Sequence, residues 1–323
     1  MGDKTKIQWT EATWNPTRGC SRVNQDCDNC YAMREAHRHD HVGGAYEGLT
    51  RIGKRGVDWS GVVRPIHDKL DLPLRWKRPR MVFVNSMSDL FHPSLSNEEI
   101  AAVFGVMSAC PQHTFQVLTK RPERAAEWFG WFSRGHGRDD TADVAITCAL
   151  GVHELNQYVT RNDKDVDDEP GAWDDLIENP PEWPLQNVWL GISAGHQKAL
   201  DEFTPELLRC PAALHWLSLE PLLEALDISE WLPNDDPDTG ESQIRWVVAG
   251  GESGNGARVC DVSWLEELRD ACALARVPFF LKQLGAVASM LTEDGGGELT
   301  LAHRKGGDIY EWPESLRVRE FPQ

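Results

Sequence analysis

The sequence predicts an α/β protein built on a partial or near-complete TIM-type (β/α) barrel of parallel strands. Six short apolar runs recur along the chain, and polar residues follow each run at once. Short continuous apolar runs are typical of strands buried on both faces. Helix-like segments lie between several runs, and this alternation indicates βαβ units in a parallel sheet. A length of 323 residues fits either one large barrel or two ordinary domains, and we predict a single domain over 1–323.

The predicted elements follow one another in a regular order. A short strand within residues 1–19 ends in a loop at Asn15-Pro16, and a cysteine-rich loop comes next. The following segment, 31–39, is rich in Ala, Met, Arg and Glu and is predicted to be a helix. Two later helices are expected at 97–109 and 262–275, with Ser96 and Ser263 as N-caps. The six apolar runs are Met81–Val84, Thr114–Leu118, Val188–Ile192, Leu214–Leu219, Trp246–Ala249 and Val277–Leu281.

Two insertions interrupt the pattern, and they carry opposite charge. The basic insertion, at about 41–79, is rich in glycine and is predicted to be hairpin-like. Residues 51–80 hold nine Lys and Arg against three Asp, with Trp59 and Trp76 between them. Basic residues with aromatic neighbours can form a nucleic-acid face. The alternatives are a solvated basic hairpin or a docking site for an acidic protein partner.

The acidic insertion, at about 130–186, and the net charge of −18 restrict the partners of the protein. A large negative charge opposes extensive wrapping by nucleic acid, because phosphates are repelled. No apolar run approaches the roughly 18 residues that a membrane helix needs. The polar N-terminus lacks the apolar core of a signal peptide, so we expect a cytoplasmic protein without a membrane partner.

A cluster of three cysteines is the strongest chemical signal in the chain. Cys20, Cys27 and Cys30 follow the spacing C-x6-C-x2-C. Three thiolates can hold a four-iron four-sulfur (4Fe–4S) cluster and leave its fourth iron open. The alternative is zinc held by the three cysteines and one histidine, since several histidines follow at His37, His39 and His41. The other cysteines lie in mostly apolar settings and are predicted to be buried, reduced thiols: Cys110, Cys148, Cys210, Cys260 and Cys272.

The amino-acid sequence around these cysteines resembles that of a known family. The segment Lys6–Pro16, followed by Gly19-Cys20 and by the run Cys-Asp-Asn-Cys-Tyr-Ala at 27–32, is similar to a phage- and prophage-associated three-Cys-motif family. That family is a branch of the radical S-adenosylmethionine (SAM) enzymes related to spore photoproduct lyase. Their usual spacing is C-x3-C-x2-C with an aromatic residue before the last cysteine, whereas here Tyr31 follows it.

The resemblance implies an enzyme with a 4Fe–4S cluster and SAM as cofactors. Such an enzyme releases a 5′-deoxyadenosyl radical that abstracts hydrogen from a substrate, here unknown and expected to be a nucleic acid or nucleotide. A phage-encoded protein partner is also implied, and so is the cytoplasm of a host cell. The alternative is a non-catalytic binding module, in which zinc or a degenerate cluster supports recognition of a protein or nucleic acid.

Particular residues take roles from the resemblance. Cys20, Cys27 and Cys30 match the cluster ligands, and Tyr31 is the candidate for packing on adenine. Lys120, in Leu-Thr-Lys-Arg-Pro, is similar to a lysine that meets the SAM carboxylate. Ser193, in Gly-Ile-Ser, is similar to a serine that binds the ribose.

Further candidates come from the positions of residues at predicted strand ends. Asn85, Ser86 and Asp89 follow the second strand and are expected to reach the SAM amino group, or else to form a turn and a helix cap. The run Gly250-Gly251-Glu252 lets the backbone approach a ligand and is a candidate to cover adenine. Glu220 and Lys282 are candidate substrate contacts, and buried ion pairs are the alternative for both.

Overall fold

The computed structural model describes residues 5–54, 56–135, 181–233, 244–290 and 297–323. Residues 136–180, with most of the predicted acidic insertion and Cys148, lie outside these ranges. The strands are β1 Ala12–Trp14, β2 Thr17–Arg18, β3 Thr50–Gly53, β4 Gly56–Trp59, β5 Arg64–Pro65, β6 Met81–Val84, β7 Thr114–Thr119, β8 Val188–Ser193, β9 Leu214–Leu219, β10 Ile244–Gly250, β11 Cys260–Asp261, β12 Phe279–Gln283, β13 Ala288–Met290 and β14 Gly297–Glu298. The α-helices are α1 Tyr31–Arg38, α2 Asn97–Ser108, α3 Pro122–Gly135, α4 Gln197–Leu208 and α5 Val262–Leu274.

The main sheet confirms the predicted α/β class. Seven strands form it in the order β1–β6–β7–β8–β9–β10–β12. The pairs β1–β6, β6–β7, β9–β10 and β10–β12 are parallel. All six predicted apolar runs are strands of this sheet, with ends shifted by no more than two residues. Their central side chains, such as Val82, Val117 and Val248, are fully buried, and each contributes about 1.5–3 kcal/mol of hydrophobic stabilisation.

The helices begin where side chains satisfy their free amide groups. Ser96 caps α2, because its hydroxyl accepts from the Glu99 amide at 3.1 Å while the Glu99 carboxylate accepts from the Ser96 amide at 2.7 Å. The prediction of Ser263 as the N-cap of α5 is wrong. Asp261 caps this helix, and its carboxylate accepts from both the amide and the hydroxyl of Ser263. A carboxylate two residues earlier therefore satisfies the same free amides. None of the described helices is long and apolar enough to span a membrane.

Residue contacts divide the chain into two compact units. Unit one lies within Met1–Ser21, Ala32–Trp189 and Cys210–Ala213, and it contains β1, β6 and β7 with α2 and α3. Phe104 of α2 stacks on Trp128 of α3 in this unit, with ring centroids 4.6 Å apart.

Unit two comprises Arg22–Tyr31, Leu190–Arg209 and Leu214–Gln323, and it contains β9, β10 and β12 with α4 and α5. Trp216 and Trp246 pack with their ring centroids 5.2 Å apart. Gly191 leaves room for this pair, since a Cβ there would lie 2.6 Å from the Trp216 ring.

The basic insertion contains the predicted hairpin, but its tryptophans are not surface groups. Strands β3 and β4 pair antiparallel. Trp59 and Trp76 are only 4% and 6% exposed, so the expectation that they interleave with the cations as a stacking surface is wrong. Arg80 lies over the Trp76 ring at 5.0 Å. The large apolar rings are buried because their free energy is lower in the protein interior than in water. The exposed part of the basic insertion is cationic rather than aromatic.

Candidate functional site

The three clustered cysteines differ chemically from the other described cysteines. Cys20, Cys27 and Cys30 are partly exposed and form no disulfide, whereas Cys110, Cys210, Cys260 and Cys272 are buried and likewise form no disulfide, as predicted for those four. Burial raises the pKa of the Cys110, Cys260 and Cys272 thiols to about 12. Because the thiolate is the form that binds metals, the clustered cysteines are better suited to bind one than the buried cysteines are.

Cys20 lies beside a largely buried arginine in unit one. The Arg121 Nη1 atom donates to the Cys20 sulfur at 3.8 Å, and Nη2 donates to the Ser21 carbonyl at 2.7 Å and to the Ser21 hydroxyl at 3.0 Å. Arg121 precedes α3 directly, and its carbonyl accepts from the Ala125 amide in the first turn. The start of α3 thus fixes the chain segment that carries Cys20.

Asp89 holds this arginine in place. Its Oδ2 accepts from Arg121 Nη1 at 3.1 Å and from the Lys120 amide at 3.0 Å, while Oδ1 accepts from the Thr119 hydroxyl at 2.7 Å and the Phe91 amide at 3.0 Å. Burial disfavours the charge on Arg121, but Asp89 and then Cys20 outweigh it and raise the pKa of the guanidinium. Of the turn and helix cap that were the alternative for Asp89, the structure shows the turn, in which Asp89 accepts from the Phe91 amide, whereas Ser96 caps the next helix.

His92 is a neutral neighbour of the same segment. Its Nδ1 accepts from the Ser94 amide at 3.2 Å, so Nε2 carries the proton and donates to the Ser21 hydroxyl at 2.9 Å. Burial, together with the charge of Arg121, lowers the pKa of His92 to about 4. A histidine that donates to the serine cannot remove its proton, so this pair is not arranged as a nucleophile and its base.

Asn85 is a buried polar group whose side chain remains unsatisfied. It follows β6 with a φ of 61°, a left-handed conformation that asparagine tolerates better than most residues. Its amide group is buried, and neither the nitrogen nor the oxygen has a hydrogen-bond partner among the described residues. An unsatisfied buried polar group costs about 1–3 kcal/mol. The neighbouring Ser86 hydroxyl, by contrast, donates to Asn15 at 3.2 Å.

In unit two, the segment with Cys27 and Cys30 is anchored by its acidic neighbour Asp26. This carboxylate accepts from the Gly195 amide at 3.0 Å and lies 3.0 Å from Nδ1 of His196. A short 3-10 helix spans Gln25–Cys27, and the Asn24 side chain caps it. Gly195 must be glycine here, because a Cβ would overlap the Pro221 carbonyl oxygen.

Glu252 anchors the other end of the same segment. Its Oε2 accepts from the Asn29 side chain at 2.9 Å, and both of its oxygens accept from the Arg258 guanidinium, at 3.0 and 2.6 Å. Arg258 also donates to the Gln25 carbonyl at 3.1 Å. Glu252 is 5% exposed, and burial raises its pKa, but the hydrogen bonds from Arg258 and Asn29 outweigh burial and hold the pKa below its usual range.

The two glycines before Glu252 lie close to the backbone of another segment of the same protein, and not to an open ligand site. A Cβ on Gly251 would overlap the Leu284 carbonyl oxygen, and one on Gly250 would lie 3.2 Å from the Gln283 carbonyl oxygen. The close backbone approach predicted for this pair is therefore to β12 and the residue after it. In the structure, Gly250 and Gly251 serve packing within unit two.

Glu220 and Lys282 form the ion pair that was the alternative for each of them. The Lys282 ammonium lies 2.8 and 2.7 Å from the two Glu220 oxygens, and both side chains are just over four-fifths buried. Gln283 donates to Glu220 at 3.3 Å, and the Ser193 hydroxyl donates to the Glu220 carbonyl at 3.0 Å. These strand-end groups of β8, β9 and β12 are brought together as predicted for a parallel sheet.

Other predicted residues occupy more open positions. Lys120 is partly exposed and is tied down through its backbone amide, while Tyr31 begins α1 with 56% exposure. The histidines considered as zinc ligands have nearby partners of other kinds: His37 bonds the Thr50 hydroxyl at 2.8 Å, and His39 lies 3.4 Å from Glu35. Within the described ranges, no group of three or more His, Cys, Asp or Glu side chains is arranged to hold a metal ion.

Sequence reasoning missed the groups that anchor the cysteines. The sequence-based predictions include Arg121 only as the neighbour of Lys120, and they do not include Asp26, His196, Asn29 or Arg258. The pair Lys120-Arg121 before a proline at a strand end was a usable signal for Arg121. The bond of Asn29 to Glu252 spans 223 residues, and local sequence carries no sign of it.

Comparison with known proteins places the chain in a family. No curated protein and no solved structure matches it. A family model described as "Protein of unknown function (DUF5131)" matches residues 4–306, which is nearly the whole chain. The protein therefore belongs to the DUF5131 family.

Proposed function

We propose that the protein is a radical-SAM-type enzyme in which Cys20, Cys27 and Cys30 hold a 4Fe–4S cluster. The proposal extends to the fold, which we interpret as a partial TIM-type barrel with the cysteine loop following its first strand. One observation carries it: the polar side chains around the cysteines are used to anchor the loop, while the three thiols stay partly exposed and reduced.

The anchoring bonds support this proposal from both ends of the loop. Ser21 is held by Arg121, and Asp26 and Asn29 are held by Gly195 and Glu252. Backbone and side-chain anchors of this kind reduce the entropy that the loop would lose on binding a cofactor. Thiolates are the ligands that iron–sulfur clusters prefer, so the type of donor fits the group. The described residues do not bring three such side chains together around one ion, so the proposal rests on the type and spacing of the cysteines.

The remaining residues supply binding rather than redox chemistry. When bound, the cluster would supply the electron that cleaves SAM into methionine and a 5′-deoxyadenosyl radical. The unsatisfied amide of Asn85 offers both a donor and an acceptor to the amino-acid end of SAM. Lys120 is proposed to meet the SAM carboxylate, Ser193 the ribose and Tyr31 the adenine.

The substrate is proposed to be a nucleic acid or nucleotide, brought by the cations of the basic insertion. Arg75, Lys77 and Arg78 are exposed there, and exposed cations attract phosphates. A protein partner with acidic charge is the competing occupant of this surface.

The test is anaerobic reconstitution of the full chain with iron and sulfide, followed by iron and sulfide analysis and electron paramagnetic resonance. We expect about four irons per chain, and loss of the cluster in Cys20→Ser, Cys27→Ser and Cys30→Ser. Cys110→Ala is the matched control, because Cys110 is buried and free. Circular dichroism of all four variants checks that the fold is retained.

The results separate the alternatives. Loss of iron in Cys110→Ala, with the clustered variants unaffected, would show that the ligands are misassigned. A colourless protein that binds one zinc and no iron would replace the enzyme with the non-catalytic binding module.

A further inference from the structure

We propose that the exposed cations of the basic insertion bind the phosphate backbone of double-stranded nucleic acid and make no contact with its bases. This inference rests on the part of the proposed function that assigns the insertion to nucleic acid, and it names the form of nucleic acid that is bound. The binding requires no cofactor, so its test is independent of the cysteines.

Within the described residues of the basic insertion, no phenylalanine, tyrosine or tryptophan ring is exposed. The insertion contains one tyrosine and two tryptophans. Tyr46 and Trp59 are 4% exposed, and Trp76 is 6% exposed. Proteins that bind single strands without sequence preference combine a cationic groove with exposed aromatic side chains on which the bases stack. A single strand would therefore gain only charge attraction from this surface.

The buried Trp76 holds its cationic neighbours in a fixed place in unit one. Its indole packs edge-on against His113, with ring centroids 5.8 Å apart. The Arg80 carbonyl accepts from the Thr114 amide at 2.9 Å, which ties the end of this segment to the start of β7. The chain between Trp76 and Arg80 is thus fixed at both ends. Less entropy is lost when a ligand binds to cations that are already positioned.

The acidic residues of the insertion are paired with cations of the insertion. Residues 51–80 contain three aspartates. Their ion pairs are Asp58 with Arg51 at 3.7 Å, Asp68 with Lys69 at 3.3 Å, and Asp71 with Arg75 at 2.6 Å. Lys77 and Arg78 are exposed and have no acidic partner among the described residues. Their charges are therefore available to phosphates.

Charge attraction without stacking favours a duplex over a single strand. A duplex carries one phosphate charge per about 1.7 Å of its axis, whereas each strand alone carries one per about 3.4 Å. A small cationic surface thus meets about twice the charge on a duplex, and phosphate contacts carry no sequence information. The net charge of −18 opposes extensive wrapping, so we expect a small contact that weakens steeply with salt.

The experiment measures binding of the full chain to fluorescent oligonucleotides by anisotropy at several salt concentrations. The probes are a DNA duplex, an RNA duplex of the same sequence, a single strand of each, and a second DNA duplex of unrelated base composition. Unlabelled duplex and polyglutamate, matched in charge concentration, serve as competitors.

The double variant Lys77→Ala, Arg78→Ala is compared with the double variant Arg304→Ala, Lys305→Ala. The control also removes one arginine and one lysine that are adjacent and exposed, but these two lie outside the insertion. Circular dichroism checks that both variants keep the fold, as expected for substitutions of exposed side chains.

We expect the DNA or the RNA duplex to bind more tightly than its own single strand, and the two DNA duplexes to bind equally well. The slope of log affinity against log salt is expected to fall by about two units in the Lys77→Ala, Arg78→Ala variant, at about 0.9 per phosphate contact. The control is expected to keep the wild-type slope.

Tighter binding of the single strands, or selection of one DNA duplex over the other, overturns the inference, because both require contact with bases. An equal loss of slope in the control overturns it as well, because the binding surface then lies elsewhere. No binding at low salt, or displacement by polyglutamate more effective than by unlabelled duplex, overturns it and leaves an acidic protein as the partner. None of these results changes the iron uptake that tests the proposed cofactor.

Discussion

The buried pair Asp89–Arg121 allows a stability prediction whose size follows from the contacts. Asp89→Asn removes the charge that compensates Arg121. The Oδ2 position accepts from Arg121 and from the Lys120 amide, and an amide nitrogen placed there would face two donors. Turning the amide over would instead present that nitrogen to Thr119 and Phe91, which donate to Oδ1. Neither orientation satisfies all four donors.

The expected cost is about 3–5 kcal/mol, the range for breaking a buried ion pair on one side. Urea unfolding followed by tryptophan fluorescence measures it, and amide hydrogen exchange at Lys120 and Phe91 localises it. The control is Glu35→Gln, which breaks the exposed 2.7 Å pair with Arg38 and should cost under about 1 kcal/mol. If Asp89→Asn costs no more than this control, Asp89 does not hold Arg121 in solution and the argument fails.

Three further predictions concern the loop anchor, the SAM site and the basic insertion. Glu252 has a lowered pKa when folded, so its contribution to stability is present above the pKa of an unfolded glutamate and is lost as the pH falls through the lower folded pKa. Glu252→Gln should flatten the acid side of a stability profile, and an unchanged profile would exclude this anchor. Lys120→Ala should weaken SAM binding roughly ten- to hundredfold, which corresponds to the free energy of a charged hydrogen bond. Calorimetry of the anaerobic protein measures this affinity, and equal SAM affinity in the variant and the wild type would remove Lys120 from the site. Changing Arg75, Lys77 and Arg78 together to Ala should reduce the salt slope of oligonucleotide binding by roughly two to three units. No binding by the wild type at low salt would leave a protein partner for this surface.

Local sequence determined the regular elements because their causes are local. A continuous apolar run such as Met81–Val84 has no polar face to leave in contact with water, so it is favoured as a strand that is buried on both faces. In the structure it is a strand of the parallel sheet. The cap of α2 follows from Ser96 and Glu99, three residues apart. Spacing also set the three clustered cysteines apart from the five scattered ones, and in the structure these three are partly exposed.

Tertiary structure alone decided what the polar residues contact. Glu252 follows two glycines in a motif that suggested a ligand, yet its oxygens are occupied by Arg258 and Asn29. Glu220 and Lys282, 62 residues apart, satisfy one another. Trp76 lies in a basic, glycine-rich segment and is nevertheless buried. A side chain's hydrogen bonds and burial depend on which distant segments lie beside it, and one-dimensional spacing does not encode that.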